Sequence, residues 1–287
     1  MDGGENEARL FQIDGIAYQA RQEPDLNWLR PYGRVFAVMD QQFSGNLCFG
    51  VDGPYGRLFI KYAGAQTVNF RGKPLSAVYT LQNAIPLYDR SHPALIRLLA
   101  HGPAGEGYAA IFAWRDDASP LRPVPFDPAV REQARRLPLA VSLGMLDMVF
   151  DLHAQLAADG IIAVNFHDGN VLIDFKRGEA IVSDIDLYRK KPAFNDRGRM
   201  WGSSRFMAPE EYQLNAALDE TTTEYNMAAL AFEFFGSNDD RGKSLWQAPY
   251  PLYRVAKKAT SEQKADRYPS MRAFLDAWRE AVGQCRI

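Results

Sequence analysis

Cysteine is scarce in this chain: Cys48 and Cys285 are the two among 287 residues. Thiols that far apart form neither a disulfide framework nor a metal-ligand set, and a reducing cytosol suits them. Long apolar runs are missing too. No stretch of roughly 18 consecutive apolar residues occurs, the length a helix needs to cross a bilayer. The most apolar helix-like run, "YNMAALAFEFFG", is shorter, carries Glu233 and is expected to be a buried core helix. The opening "MDGGENEARLFQIDG" is acidic and lacks the apolar segment of a signal peptide. The expected location is therefore cytoplasmic, with no membrane partner. An excess of one charge sign is absent as well. Lys and Arg number 33 against 35 Asp and Glu, for a net charge of −2 and a pI near 6.1. No global basic field draws the chain to nucleic acid, and none is expected as a partner. Repeats and low-complexity tracts are also lacking.

What is present is an ordinary globular composition, 47% hydrophobic and 24% charged, enough for one large domain or two lobes. The early part reads as strands and turns. "RVFAVMD" and "NLCFGVD" are short apolar runs; "NLCFGVD", "GPYG" and "RLFIKYA" give a strand, a Gly/Pro turn and a strand, a hairpin signal. In "PLSAVYTLQNAIPLYDR", Leu75, Val78, Leu81, Ile85 and Tyr88 recur at helical spacing, with a kink or break expected at Pro86. "GYAAIFAW" is another strand. The Pro-rich "SPLRPVPFDPAVREQ" reads as a linker, after which "PLAVSLGMLDMVFDLHAQLAADG" turns helical, as does the late "YPSMRAFLDAWREAV". The expected class is α+β, with a small β-rich part followed by a larger helical part.

Five stretches carry chemistry. In "RLFIKYA", Lys61 lies mid-strand; read alone, such a lysine belongs on a solvent-facing edge, because burying an ammonium is costly unless it meets an anion. The second is the helix ahead of "SHPALIRLL". The third, "GIIAVNFHDGNVLIDF", holds Asn165, His167, Asp168 and Asn170 ahead of a strand-like run. The fourth, "IVSDIDLYRKK", supplies Asp184; carboxylate and carboxamide oxygens suit a hard cation such as magnesium. The fifth is "WGSSRFMAPEEY", with Ser203 and Glu210; a buried Glu210 needs a cationic partner, and Arg267 in "KADRYPSMRAF" is the candidate. Between Asp184 and Glu210 run Arg189, Lys190, Lys191, Arg197 and Arg199. They read as a solvated basic loop, a surface for an acidic substrate, or the receptor of an internal phosphate.

In this order the five stretches resemble a protein-kinase domain, of the compact bacterial serine/threonine type, over roughly residues 33 to 282. The resemblance implies a two-lobed fold: an N-terminal extension over 1–32, a β-rich N-lobe over 33–118 and a helical C-lobe over 119–287. It implies ATP and Mg2+ as cofactors. Lys61 would contact phosphates, Gly45 would remain from the glycine-rich loop, and Phe112, Ala113 and Trp114 would border the adenine. Asp40 and Gln42 stand at that loop's first two glycine positions, and Gln82 and Asn83 where the family keeps the glutamate that pairs with the lysine. Asn170 and Asp184 would hold the metal. Glu210 with Arg267 would be structural, and Ser203 would match the residue that helps select hydroxyl acceptors. Asn165 occupies the catalytic-base position, where an amide orients but does not accept a proton; Asp168 is a rival acid nearby. His167 matches the histidine of small-molecule kinases of the aminoglycoside and choline type. The expected activity is transfer of the γ-phosphoryl to a hydroxyl on a protein; a small-molecule kinase and a nucleotide-binding pseudokinase are the alternatives.

Overall fold

Asp14 and Gly15 both take left-handed backbone, with φ of 51° and 86°, the geometry of a tight two-residue hairpin turn. They fold Arg9–Ile13 (β1) back on Ile16–Ala20 (β2) in a computed structural model that describes residues 7–285. The acidic residues 1–6 read in the sequence lie outside the described residues. The chain divides into two compact units, Met1–Ser91 with Ile96–Asp116, and His92–Leu95 with Asp117–Ile287.

In the first unit a five-stranded antiparallel sheet follows the hairpin. It comprises Arg34–Met39 (β3), Asn46–Gly53 (β4) and Gly56–Ala63 (β5), then, past the helix Pro74–Tyr88 (α1), Leu98–Ala104 (β6) and Gly107–Ala113 (β7). The order is β3-β4-β5-β7-β6. Strand alternation divides the residues of β5 between two faces. Leu58, Ile60 and Tyr62 join Ile13, Tyr18 and Leu29 in one core. Phe59 and Lys61 point the other way, where Phe59 meets Phe112 and Lys61 meets Tyr88 of α1. Residues 9–32 thus belong to the same core as the sheet. The helix runs through Pro86 to Tyr88 without a break. Leu87 and Tyr88 alone follow that proline within the helix, so its missing N–H removes a single late hydrogen bond.

The second unit opens with Ala118–Pro120 (β8), the helices Pro128–Arg135 (α2) and Leu139–Ala158 (α3), and Ile161–Ile162 (β9). The Pro-rich stretch is therefore not a linker. Part of it pairs as β8 with Val171–Asp174 (β10), and Asp127 caps α2 by accepting from the Ala129 N–H. Strand β10 turns back as Glu179–Val182 (β11). Short strands Arg189–Lys190 (β12), Ala193–Phe194 (β13) and Ala217–Leu218 (β14) lead to helices Glu220–Phe235 (α4), Tyr250–Ala259 (α5) and Met271–Gly283 (α6). Phe150 of α3 packs its ring on Phe274 and Trp278 of α6. By length and composition α3 could cross a membrane, yet 56% of its apolar window is buried within the fold. Helix α4, expected from its apolar run, is buried along most of its length.

Candidate functional site

Taken in isolation, Lys61 reads as an exposed edge residue. The structure corrects that reading: β5 is the central strand of the sheet, and Lys61 is 3% exposed. Its Nζ donates to the Tyr88 Oη at 2.9 Å and lies 5.3 Å from the centre of that ring and 5.9 Å from the Phe112 ring. A buried ammonium needs such polar and π partners. Gln82 and Asn83 lie on the exposed side of α1; the helix side chain that meets the lysine is that of its last residue, Tyr88.

The other expected cofactor residues of this unit behave differently. Phe112 is fully buried between Phe59 and Tyr88, so its ring is core and offers no face to a ligand. Alternation on β7 turns that side chain under α1, so only its backbone remains for the bordering role read in the sequence. Ala113, the next residue, donates its N–H to the Arg97 carbonyl. Trp114 stands edge-on to Phe36 at 4.9 Å, over Gly50, where a Cβ would come within 2.6 Å of the Phe36 ring. Gly45 holds a left-handed turn, φ 87°, against Phe70 and Ala77. Its preceding residues fix the same loop: Asp40 accepts from the Gln19 N–H at 2.6 Å and from Gln41 at 3.1 Å.

In the second unit two pairings bracket the loop carrying Asn165. Strand β9 pairs with β12, placing Ile162 opposite Arg189. The hairpin β10–β11 begins at Val171 opposite Val182. Just beyond that pair, Ser183 donates both its N–H, at 2.8 Å, and its Oγ, at 3.1 Å, to the carbonyl of Asn170. Asn170 and Asp184 are therefore held at one end of a single hairpin. The Asn170 Oδ1 accepts the His167 N–H at 2.9 Å, and an Asp184 oxygen accepts the Asp186 N–H at 3.1 Å. Among the described residues no three of His, Cys, Asp and Glu form a metal cluster.

Asn165 takes a φ of 64°, a left-handed conformation that asparagine and aspartate tolerate better than most residues. Gly202 lies against it: a Cβ built on Gly202 would be 3.4 Å from the Asn165 Cα and 3.5 Å from its Oδ1. Helix α4 steadies the loop from behind, where the Thr223 Oγ1 accepts the Ala163 N–H at 3.1 Å. His167 caps the next turn, its Nδ1 accepting the Gly169 N–H at 3.0 Å. That leaves the proton on Nε2. Burial, ahead of the opposing charge of Asp168 and the repulsion of Arg205 and Arg122, holds its pKa below the usual imidazole range.

Asp168, the nearby acid, is held from within the fold. It is fully buried, and its Oδ2 accepts from Arg205 at 2.5 Å. The same guanidinium donates to Glu233 of α4 at 2.8 Å, and Glu233 also meets Arg131 at 3.3 Å and Asn238 at 3.1 Å. Ser203 turns the chain just before Arg205: its carbonyl accepts from Phe206 at 2.9 Å and Met207 at 3.2 Å. Glu210 and Arg267 meet as a buried fork, with nitrogen–oxygen distances of 2.8 and 3.0 Å. Thr222 adds a hydrogen bond to Glu210 at 2.7 Å. Such a pair holds geometry as much as it stabilises. Behind the loop His153 accepts from the Tyr188 hydroxyl at 2.7 Å and donates to the Val149 carbonyl, also at 2.7 Å. Burial pushes the Tyr188 phenol well above its usual range, and the charge of Asp184 adds to that.

Sequence reasoning does not single out Tyr88, Gly202, Arg205, Thr223 or Glu233 as site residues. A separate cleft of about 1130 Å3 opens among α4, α5 and α6, lined by Tyr225, Arg241, Tyr253 and Lys258; Asn165, Asn170 and Asp184 do not line it. No protein-family model matches the chain, and no curated protein matches it.

Proposed function

We propose that this chain is an ATP-dependent phosphotransferase with a two-lobed, kinase-like fold, the first compact unit, residues 9–32 included, serving as the N-lobe and the second as the C-lobe. The observation that carries the reading is the Asn170–Ser183 clasp, which holds Asn170 and Asp184 at one hairpin end next to the loop of Asn165. Both offer hard oxygens of the kind magnesium takes. Bound Mg2+ would neutralise charge on the phosphates during transfer. Lys61, held by Tyr88 within the first unit, keeps the phosphate-binding role that the resemblance implies. His167 presents an Nε2–H donor in neutral form. Asn165 orients the acceptor hydroxyl through its amide and takes no proton from it.

The test compares the chain with its Asn165→Asp form. Aspartate tolerates the same left-handed backbone, so the variant is expected to fold. Mg·ATP binding is expected in both, with transfer to protein substrates rising about 10²- to 10⁴-fold in the variant, the usual worth of a general base. Failure of both forms to bind Mg·ATP would sink the reading. A second reading, nucleotide binding without turnover, is favoured by the amide at position 165; tight Mg·ATP binding with no transfer by either form would select it. Transfer only to small hydroxyl compounds would select the small-molecule reading that His167 supports.

A further inference from the structure

The segment that carries Gly202 to Asn165 presents an exposed surface of paired arginines and aromatic rings. Its frame is Asn195, fully buried with every polar group engaged. The Asn195 backbone pairs with Asn215 at 2.7 Å and Ala216 at 2.9 Å. Its side chain accepts from the N–H groups of Arg197 and Gly198 and donates to the carbonyls of Gly198 and Glu210. The Met200 N–H donates to the Glu211 carbonyl at 2.8 Å. The two arms, 194–202 and 210–217, are thereby locked side by side.

On this frame Arg197 lies over the Trp201 ring at 4.2 Å, and Arg199 over Tyr212 at 5.8 Å. Trp201 and Tyr212 are each 43% exposed. Arg189 and Lys191 are already taken by Asp196 and Glu220. Arg197 and Arg199 have no carboxylate partner among the described residues; Arg199 reaches two backbone carbonyls at 3.3 Å. Arg197, its guanidinium carbon 4.2 Å from the Trp201 ring centre, is held where its N–H groups can take a carboxylate with two hydrogen bonds, and Arg199 adds a second exposed positive charge beside it.

We propose that this surface docks an acidic segment of a protein acceptor, with Arg197 and Arg199 taking carboxylates near the hydroxyl to be modified. That the partner is an acceptor rests on the phosphotransferase reading; the acid selectivity rests on the arginines alone. Nucleic acid fits less well, because a single strand stacks successive bases on aromatic rings, and both rings here already lie beside a guanidinium. The chain as a whole also carries a charge of −2.

The test measures binding to the full chain by fluorescence anisotropy. The probes are a labelled serine peptide flanked by Asp and Glu, the same peptide with Asn and Gln, one with Lys and Arg, and a single-stranded oligonucleotide of equal length. The acidic peptide is expected to bind tightest and to weaken as salt is raised. Arg197→Gln with Arg199→Gln is expected to weaken it by about tenfold, the scale of two exposed charge contacts, with Mg·ATP binding unchanged. Equal affinity for the Asn/Gln peptide overturns the proposal, and that comparison needs no variant. Tighter oligonucleotide binding, or an unaffected double variant, overturns it too. Loss of Mg·ATP binding in the unaltered chain would count instead against the phosphotransferase reading, leaving the peptide result standing.

Discussion

Lys61 donates its buried ammonium to the phenol of Tyr88 at 2.9 Å, a bond between the central strand of the sheet and the last residue of α1. The phenol is one of the groups that position the lysine. Tyr88→Phe keeps the ring against Phe112, 4.9 Å away, and removes only the hydroxyl. Hydrogen bonds to charged groups contribute about 1.5–3 kcal/mol. The melting temperature is expected to fall by about 2–4 °C for each kcal/mol lost, and saturating Mg·ATP to recover part of it. An unchanged melting temperature and unchanged Mg·ATP affinity would show that the bond positions nothing.

Arg205 ties Asp168 to Glu233, two buried carboxylates that come from the Asn165 loop and from α4. Arg205→Ala leaves both with one cation fewer, and breaking a buried pair from one side costs about 3–5 kcal/mol. Urea unfolding should show a loss of that order. Arg205→Lys should recover little of it, since an ammonium does not reproduce the fork. Asp168→Asn, made beside Asn165→Asp, should leave transfer within a few-fold, because Asp168 is fully buried behind Arg205. Loss of all transfer in that double variant would return Asp168 to the role of base.

How much of this was legible in the sequence depends on how local each signal was. Strands β3, β4, β5 and β7 announced themselves by apolar runs, with the Gly/Pro turn "GPYG" marking the bend from β4 to β5, and helices α3, α4 and α6 by apolar periodicity. Glu210 with Arg267 was legible because each lies in a distinctive short stretch. The burial of Lys61 was not, since a strand's own residues do not say whether it is central or at an edge; that depends on β7, which pairs with it from about fifty residues away. Arg205 left no signal either. Its partners lie 37 and 28 residues off, and an arginine amid a basic run reads as solvated until its carboxylates are in place. Pro125 and its neighbours suggested a linker because prolines break periodicity, yet β8 needs only a few residues to add an edge to β10.

Gly202 takes a φ of 130° with its missing Cβ aimed at Asn165. An alanine there would meet an unfavourable backbone region, with its Cβ brought into van der Waals contact with Asn165 at 3.4 Å. Strain of this kind costs on the order of 1–3 kcal/mol. Gly202→Ala is expected to lower transfer by the Asn165→Asp form more than tenfold while changing Mg·ATP affinity less than threefold, on the scale of about 1.4 kcal/mol per decade. Equal loss of binding and transfer would mean that the substitution damages the unit at large.

Two buried glutamates make stability depend on pH in an unusual direction. Burial raises the Glu224 carboxyl to about 8, and its Oε1 accepts one N–H, from Tyr268 at 2.9 Å. Burial likewise raises Glu211 to about 7, against the opposing bonds from Ala208 and Asn226. From the ordinary 4.5 up to those values the folded state holds protons that the unfolded state has released. Their contribution is fully present below pH 4.5 and is lost as pH rises through 7 and 8. His153 acts oppositely: burial lowers it to about 4, so its contribution is present above 6.5 and is lost as pH falls towards 4. Above pH 6.5 the histidine contribution is constant while both glutamates still titrate, and urea-unfolding stability is expected to decline towards pH 8. Each group contributes a slope of up to about 1.4 kcal/mol per pH unit where it titrates. Glu224→Gln keeps an oxygen for the Tyr268 N–H and cannot ionise, so it should flatten the decline and surpass the unaltered chain at the alkaline end. Parallel curves for the two proteins would show that Glu224 does not carry the slope.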